Sequence, residues 1–458
     1  MDTVKKFERK ILNLKIYLPD EVNFIIKQLE KHNYSAFIVG GCVRDSILGR
    51  VPADFDIATS CMPNDIIKIF KNHPVIATGL NHGTVTVIVN KLPYEITTYR
   101  YDGKYSDNRR PDNVVFTSSI SEDLSRRDFT INAMAYNPII GLIDTFNGFA
   151  DLEAQIIRCV GEPEQRFKED ALRMLRACRF YAQLDFKLEE NTKKAIYNSH
   201  ELLKNISKER IRDELNKILL SFKPDVLNML IELGLNKYII PELEKCRDVS
   251  QYTQHGTCDI FHNVSRGVLV IEKNIILKLT MLLHDIGKAY TKTIDENGIC
   301  NFYAHSEISA KIAGLILNRL KYSTFTKSAV VELILNHENK IKPCKKSIRG
   351  WLNKLGEDKL QLLLKVKEAN VVSQNSGNIV EQLKNIDETR ILLSEILNNN
   401  ECYRKKDLKI NGNDLIQQGL FQNKDIGKIL NELVEIVLDD PRLNTRDFLL
   451  NYIKKKYI

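Results

Sequence analysis

The sequence lacks a long apolar run, and no segment approaches the roughly 18 consecutive apolar residues of a membrane-spanning helix. Its first residues carry charges and no continuous apolar stretch, which is not typical of a secretory signal peptide. The nine cysteines are scattered without a CxxC pair, which disfavours a disulfide framework or a thiolate zinc site. These absences predict a cytoplasmic protein that does not associate with membranes.

A strong charge bias is also missing. The chain has 67 basic and 59 acidic residues among 458, a net charge of +8. An excess of this size is compatible with polyanion binding, but an ordinary solvated surface explains it equally well. The length allows about two to four domains.

The hydrophobic pattern changes character along the chain. In the first third, alternating strands such as TVTVIV (84–89) and YEITTYR (94–100) mix with short helices. After Gly161, long helical periodicity dominates, as in RFKEDALRMLRACRFYAQL. The pattern predicts an α+β protein, with a small mixed head followed by a mostly α-helical body. The expected parts are residues 1–157, 158–250, 251–380 and 381–458.

Two aspartates lie two residues apart in ADFDIAT (53–59), which is predicted to be a strand. Because a strand alternates faces, the carboxylates of Asp54 and Asp56 should point the same way, and like charges repel. Mg²⁺ prefers carboxylates together with substrate phosphates, and two such ions can clamp both oxygens of a phosphoryl transfer. Glu95 on a nearby strand is a third candidate, although an ordinary edge-strand charge is the alternative.

A glycine pair precedes these aspartates in GGCVRD. Gly40 and Gly41 allow the backbone to approach a ligand closely, and the amides that open the next helix can bind phosphate oxygens. Arg44 adds a cation, and Asp45 completes the motif. The two motifs together are far more specific than a lone D-x-D, which would favour a turn or a helix cap.

GGCVRDSILGRVPADFDIAT resembles the signature of the polymerase-β-type nucleotidyltransferases. DLSRRDFTINAMAYNP, EDALRMLRACRF and KERIRDEL follow in the order of the tRNA nucleotidyltransferase and bacterial poly(A) polymerase group. Together these motifs cover about half of the chain and resemble class II CCA-adding enzymes. The resemblance implies addition of CCA to tRNA 3′ ends from CTP and ATP, with Mg²⁺ in the head and the tRNA acceptor arm as partner.

The second motif contains two arginines that suit a triphosphate or a primer backbone, Arg126 and Arg127. Asp128 is predicted to cap the helix that follows, with Asn132 on the same face. The resemblance implies that this motif recognises the ribose 2′-hydroxyl. A simple capped helix with a solvated arginine pair is the alternative.

In EDALRMLR, Asp170 and Arg173 are predicted to be neighbours on one helix. The carboxylate can accept from an exocyclic amine and the guanidinium can donate to a ring nitrogen, which favours cytosine and adenine over uracil and guanine. An ordinary intrahelical salt bridge is the alternative. Glu169 and Arg176 are expected to orient the pair.

The polar stretch from Asp102 to Pro111 is full length in the style of the family. The resemblance implies that a full-length loop here supports addition of the final A. An unremarkable surface loop is the alternative.

Five of the nine histidines lie between residues 255 and 337. LLHDIGK resembles the HD phosphohydrolase signature, which predicts an HD-type helical domain in the body and a second divalent metal. The site usually closes with an aspartate, but Asn370 stands at the expected place, which should weaken metal affinity. The candidate ligands are His262, His284, Asp285, His305 and His337.

Other functions remain open. One is an A-adding enzyme or a poly(A) polymerase, and another is an HD phosphohydrolase or alarmone-type enzyme. The position of the nucleotidyltransferase motifs before the HD motif disfavours the alarmone type. A catalytically idle RNA-binding protein is disfavoured by the intact Asp54 and Asp56. The sequence does not give the oligomeric state.

Overall fold

The computed structural model describes residues 14–103, 113–221, 223–247, 249–253, 256–296, 299–374, 378–419 and 423–457. The chain divides into two compact units, Met1–Ile239 and Ile240–Ile458, and each buries its own apolar core. Among the described residues, no helix combines the length and the apolar character that a bilayer crossing requires.

The first unit is built around a seven-stranded sheet with the strand order β3-β4-β5-β2-β1-β8-β9. Its strands are β1 (Ala36–Val39), β2 (Ile57–Thr59), β3 (Val75–Gly79), β4 (Thr84–Val89), β5 (Leu92–Thr98), β8 (Ala135–Asn137) and β9 (Gly141–Ile143). Short two-stranded pairs join β6 (Arg100–Asp102) to β7 (Val114–Phe116), and β10 (Ile156–Ile157) to β11 (Lys187–Leu188).

Ten helices accompany these strands within the described part of the first unit, and they confirm the α+β prediction. They are α1 (Asp20–Lys31), α2 (Gly41–Ile47), α3 (Pro63–Ile69), α4 (Ile120–Ser125), α5 (Gly148–Glu153), α6 (Pro163–Glu169), α7 (Leu172–Leu184), α8 (Glu190–Ser199), α9 (Lys208–Leu220) and α10 (Val226–Glu232).

The alternation in TVTVIV correctly predicted a half-buried strand, because every second residue of β4 is buried. A two-residue turn joins β4 to β5. Asn90 and Lys91 both have positive φ angles, 51° and 68°, as this hairpin turn requires. The hairpin carries Glu95 into the sheet beside β2.

The predicted strand over ADFDIAT is too long, since β2 contains only Ile57–Thr59. Its antiparallel partner β1 ends at Val39, and Gly40 then turns the chain into α2. β1 therefore offers residues 53–56 no continuing strand to pair with. One hydrogen bond, from the Val39 amide to the Asp56 carbonyl, extends past the paired residues. The two aspartates lie at the open end of the sheet.

Two helix predictions also need correction. The stretch RFKEDALRMLRACRF forms two helices, because Asp170 adopts an extended conformation (φ −140°) between α6 and α7. The helix predicted after Asp128 is a single 3₁₀ turn, Thr130–Asn132.

The second unit is mainly helical. Its helices are α11 (Glu244–Arg247), α12 (Ile260–Val270), α13 (Ile275–Leu283), α14 (Lys288–Thr291), α15 (His305–Arg319), α16 (Thr324–Asn336), α17 (Lys345–Leu355), α18 (Glu357–Gln374), α19 (Ile379–Asn398), α20 (Gly412–Gln417), α21 (Asn423–Asp439) and α22 (Arg446–Tyr457). It also has two short hairpins, β12 (Ser250–Thr253) with β13 (Gly256–Asp259), and β14 (Thr293–Ile294) with β15 (Cys300–Asn301). Apolar residues from α17 through α22 form one continuous core.

Candidate active site and histidine cluster

A cleft of about 730 Å³ lies in the first unit, beside the open end of β1 and β2. It brings together most of the residues predicted for the head, while Asp45 and Glu95 lie outside its lining. The predicted residues that line it are Gly40, Gly41, Arg44, Asp54, Asp56, Arg126, Arg127, Asp128, Asn132, Asp170, Arg173 and Arg176.

The carboxylates are crowded at one end of this cleft. β2 and β5 run parallel with Ile57 opposite Ile96, so Asp56 and Glu95 occupy neighbouring positions just before the paired residues. Desolvation, together with the charges of Asp54 and Glu95, raises the pKa of Asp56, and only Arg127 opposes them. Three oxygen donors whose charges repel are the donor set that a hard divalent cation stabilises, so these residues fit Mg²⁺.

Gly40 connects the carboxylate end to the arginines. Its φ angle is +80°, and a Cβ at this position would lie 2.9 Å from the Arg127 guanidinium. Both facts favour glycine here, because the left-handed region is strained for other residues. The turn holds the start of α2 against the basic wall of the cleft.

Arg126 and Arg127 are held by one buried carboxylate, Asp123 on α4. Arg126 donates to Asp123 Oδ1 at 2.8 Å, and Arg127 donates to Oδ2 at 3.2 Å. Although burial opposes it, the two guanidiniums lower the pKa of Asp123. One anion for two cations leaves a net positive charge facing the cleft, which suits phosphate groups.

Asp128 does not cap a helix, contrary to the prediction. It accepts from the Asn132 amide at 3.1 Å and from Arg176 Nε at 2.7 Å, while the Asn132 Oδ1 accepts from Arg44 at 2.5 Å. Burial opposes ionisation, but Arg176 and Asn132 lower the pKa of Asp128 to about 2. The motif is therefore a rigid polar network, and Arg44 is oriented from its other side by Asp45 at 2.9 Å.

Asp170 and Arg173 both line the cleft, but they do not lie on one helix as predicted, and the alternative, a salt bridge between them, does not form. Arg210 on α9 forms a fork with the Asp170 carboxylate, with N–O distances of 3.1 and 2.8 Å. Arg173 instead donates to Glu169 at 2.8 Å and to the Arg126 carbonyl at 2.8 Å. Glu169 thus orients Arg173 as expected, whereas Arg176 belongs to the Asp128 network.

The floor of the cleft is aromatic and strongly basic. The Phe180 ring contacts the guanidiniums of Arg44, Arg176 and Arg179, whose centres lie 5.1, 5.7 and 4.4 Å from the ring centroid. Eight cationic and four anionic side chains line the cleft. This excess of positive charge suits a polyphosphate accompanied by divalent cations.

A second constellation, the histidine cluster, lies in the second unit. We define it as His284, Asp285, His305, His337 and Glu338. His284 and Asp285 follow α13, His305 opens α15, and His337 ends α16. Two sets of its side chains place potential ligand atoms within 4.8 Å of one another: His284, Asp285 and His337, and His305, His337 and Glu338.

The imidazoles of the cluster are preoriented. The Nδ1 atoms of His284, His305 and His337 donate to backbone carbonyls three residues earlier, at 2.9, 2.9 and 2.6 Å. Their Nε2 atoms therefore face the carboxylate of Asp285. Asp285 Oδ1 and His305 Nε2 are buried without a hydrogen-bond partner, so the residues present fit a divalent metal.

Burial and neighbouring charges shift the pKa values of the histidines in the cluster. Burial lowers the pKa of His284 to about 4, which keeps its imidazole in the neutral form that ligates metals. Burial also acts to lower the pKa of His305, but the Asp285 carboxylate outweighs it and raises that pKa. Lys288 donates to Asp285 at 2.8 Å and partly neutralises it.

One predicted ligand lies apart from the cluster. His262 has an exposed side chain on α12 and belongs to neither group of potential ligands. Glu338 takes part instead, with Oε1 at 3.4 Å from His305 Nε2. Asn370 on α18 does lie at the site, with its side-chain oxygen 3.2 Å from His284 Nε2. The neutral residue therefore occupies the position that was predicted for a closing ligand.

Several partners were not predicted from the sequence. Asp123 and Glu338 each stand within four residues of a predicted group, so an acidic residue beside a functional cation or histidine was an available signal. Arg210 lies in the quoted motif KERIRDEL, but nothing local connects it to Asp170, 40 residues away. Most of the loop from Asp102 to Pro111, as well as His255, lies outside the described residues.

Three family models match the chain. The "Poly A polymerase head domain" matches residues 36–158, the "Probable RNA and SrmB- binding site of polymerase A" matches 185–246, and the "HD domain" matches 259–373. The first covers most of the cleft-bearing sheet, and the third covers the histidine cluster.

The CCA-adding enzyme of Pediococcus pentosaceus is 33% identical over 438 residues, which are 95% of this chain and 98% of that enzyme. The chain belongs to the CCA-adding enzyme family. Within this family, the enzyme of Geobacillus thermodenitrificans is 48% identical over 222 residues, and that of Lactobacillus johnsonii is 47% identical over 231. These two alignments span only about half of each relative, 54% and 58%.

The chain also shares its fold with a solved CCA-adding enzyme over nearly its whole length. The crystal structure of the Bacillus stearothermophilus CCA-adding enzyme in complex with CTP is 27% identical. It superposes with a TM-score of 0.70 and covers 96% of this chain and 99% of the other. The mixed head and helical body predicted from the sequence are therefore confirmed.

Proposed function

We propose that this protein extends tRNA 3′ ends with C, C and A, using CTP and ATP and no nucleic-acid template. The observation that carries the proposal is one cleft that holds paired carboxylates, excess guanidiniums, and Asp170 with Arg173. The CCA-adding relatives and the CTP complex of a related enzyme support it, and the RNA-binding model over residues 185–246 supports an RNA partner.

At the carboxylate end, Asp54 and Asp56, with Glu95 beside them, would hold Mg²⁺. Held by these carboxylates, Mg²⁺ would supply a Lewis acid that lowers the pKa of the primer 3′-hydroxyl and neutralises charge on the triphosphate. The arginines held by Asp123 bind phosphate oxygens, and Arg44 is fixed between Asp45 and Asn132 to do the same.

In the same cleft, Asp170 and Arg173 select the base. Cytosine and adenine each offer an exocyclic amine beside an acceptor nitrogen, which matches a carboxylate beside a guanidinium. Because Arg210 holds both Asp170 oxygens, one of these bonds must yield when the base enters. Arg210 thereby neutralises the carboxylate while the cleft is open to solvent.

Nucleotide incorporation into tRNA transcripts tests this function. Transcripts that end before CCA, after C and after CC are supplied with each labelled nucleotide singly and mixed. We expect two C residues and then one A, with no U or G. Addition of A only to the CC-ending transcript would identify an A-adding enzyme, and long A tracts would identify a poly(A) polymerase. No incorporation with Mg²⁺ would contradict the proposal.

We also propose that the histidine cluster binds a divalent metal independently of the head. The partnerless Asp285 Oδ1 and His305 Nε2 are the supporting observation. Burying such atoms is costly unless a ligand satisfies them. With Asn370 in place of an acid, three imidazoles and two carboxylates remain, a mixed nitrogen and oxygen donor set that suits transition-metal ions such as Mn²⁺ or Ni²⁺ better than Mg²⁺.

Metal titration of the full chain by calorimetry checks this second proposal. We expect His284→Ala and His305→Ala to weaken Mn²⁺ or Ni²⁺ binding by about 10- to 100-fold, since each removes a ligand. His262→Ala is the matched control and should leave binding unchanged. Equal losses for His262→Ala and His305→Ala would contradict the cluster as defined here. Asn370→Asp should increase affinity by restoring an anionic ligand.

A further inference from the structure

A second cleft, of about 600 Å³, lies in the second unit and opens onto the histidine cluster. His337, Glu338 and Asn370 line it at the end where it meets the cluster. Its volume is in the range of small-molecule sites, roughly 300–1,000 Å³. We call it the amide cleft, because its other walls are rich in carboxamides.

Cations lie beside the cluster end. Lys340 and Lys342 are exposed on the segment that follows His337, and Lys367 on α18 donates to the His337 carbonyl at 2.8 Å. These three lysines line the cleft together with two acids, Glu338 and Glu381. Because Lys367 contacts His337 and the other two lysines follow that histidine by three and five residues, the lysines lie on the part of the cleft next to the potential metal ligands. A phosphate group matches that part.

Carboxamides line the far wall, on the first turns of α19. Asn378, Gln382 and Asn385 all face the cleft, with Gln382 and Asn385 three residues apart and hence side by side on the helix. The side chains of Gln382 and Asn385 make no hydrogen bond to any residue the structure describes. A carboxamide offers both a donor and an acceptor, so two such groups can match the edge of a nucleobase.

Apolar side chains also line the amide cleft. Leu364, Val371 and Ile386 line the cleft, with Ile341 near the lysines. A flat ring can pack its faces against such side chains while its edge reaches the carboxamides. A sugar phosphate has no comparable apolar face, and a lipid phosphate would leave the carboxamides unpaired. The wall on α19 lies beyond residue 373, where the HD family match ends.

We propose that the amide cleft binds a nucleoside monophosphate, with its phosphate at Lys340, Lys342 and the histidine cluster and its base against Gln382 and Asn385. The proposal rests on the metal centre proposed above, and it adds the ligand class and the residues that recognise it. The head cleft takes nucleoside triphosphates, so the chain carries two nucleotide sites of different chemistry.

Calorimetric titration with UMP tests the amide cleft in the full-length chain carrying Asp54→Asn and Asp56→Asn. These substitutions remove the head carboxylates, and uracil is a base that the head is expected to reject. We expect UMP to bind in the presence of Mn²⁺ and more tightly than inorganic phosphate or ribose 5-phosphate. Asn385→Leu should weaken UMP binding about tenfold or more, because it removes a hydrogen bond and blocks the base edge.

The matched control is Asn398→Leu, an exposed asparagine on the same helix that does not line the cleft. Its UMP affinity should remain within about twofold of the parent chain. Lys342→Ala should weaken UMP and inorganic phosphate alike, since it acts on the shared phosphate. UMP binding no tighter than inorganic phosphate, or equal effects of Asn385→Leu and Asn398→Leu, would overturn the proposal.

The Mn²⁺ titration separates the two proposals. Mn²⁺ binding that depends on His305, without UMP binding, overturns the amide cleft and leaves the metal centre standing. No Mn²⁺ binding overturns the metal centre and with it the placement of the phosphate against the cluster. Mn²⁺-dependent UMP binding that is lost in both His305→Ala and Asn385→Leu supports both.

Discussion

Replacing Asp56 with asparagine is expected to reduce nucleotide incorporation by about 1,000-fold or more, equivalent to about 4 kcal/mol of transition-state stabilisation. The side chain keeps its size but loses the charge that would hold Mg²⁺ at the open end of β2. Asp54→Asn should behave similarly. Single-turnover incorporation of CTP into a transcript that lacks CCA measures the effect, with Asp20→Asn, an exposed acid on α1, as the matched control.

Although Asp56→Asn should reduce activity, we expect it to increase the stability of the fold. Because desolvation and the neighbouring acids raise the folded-state pKa of Asp56, its folded form binds protons more readily than its unfolded form. The free energy of unfolding therefore falls as the pH rises through the raised pKa of Asp56. At neutral pH the ionised carboxylate destabilises the fold. Without divalent metal, Asp56→Asn should raise the melting temperature, and Mg²⁺ should stabilise only the parent chain. A variant that loses both activity and stability would indicate a structural role instead.

Replacing Asp170 with asparagine should relax base selection. The carboxamide presents a donor where the carboxylate only accepts, so it can pair with the uracil carbonyl that Asp170 rejects. We expect kcat/KM for CTP to fall about 100-fold and the preference for CTP over UTP to shrink to about tenfold or less. Steady-state kinetics with all four nucleotides measure this, and Asp213→Asn, an exposed acid on α9, is the control.

Arg210 provides an independent check on this assignment. Arg210→Ala removes the fork that neutralises Asp170, leaving a bare carboxylate in the path of the triphosphate. We expect KM for both nucleotides to rise while the preference for CTP over UTP is largely kept, since the selecting groups remain. Arg212→Ala, two residues further along α9, is the matched control. Unchanged base preference in Asp170→Asn would contradict the template role, whatever the effect of Arg210→Ala.

Motif order was sufficient to predict the head, the helical body and twelve of the nineteen residues that line the cleft. Local chemistry explains this success, since Gly40, the aspartates and the arginines all lie within short motifs. The errors concern chain geometry and distant partners. Asp170 interrupts a helix that its periodicity predicted to be continuous, because its side chain accepts from the Leu172 amide and from Arg210. His262 was included by spacing alone, and spacing does not report which face of α12 is buried.

The carbonyl-anchored imidazoles of the histidine cluster also determine how it exchanges ions. Each Nδ1 proton is already committed to a backbone oxygen, so the lone pairs of His284 and His337 converge before any ion arrives. Binding of a divalent ion therefore requires neither rotation of the imidazole rings nor a change of tautomer at His284 and His337. At His305, Nε2 lies 3.4 Å from both Asp285 Oδ1 and Glu338 Oε1, so this nitrogen also already faces the two carboxylates.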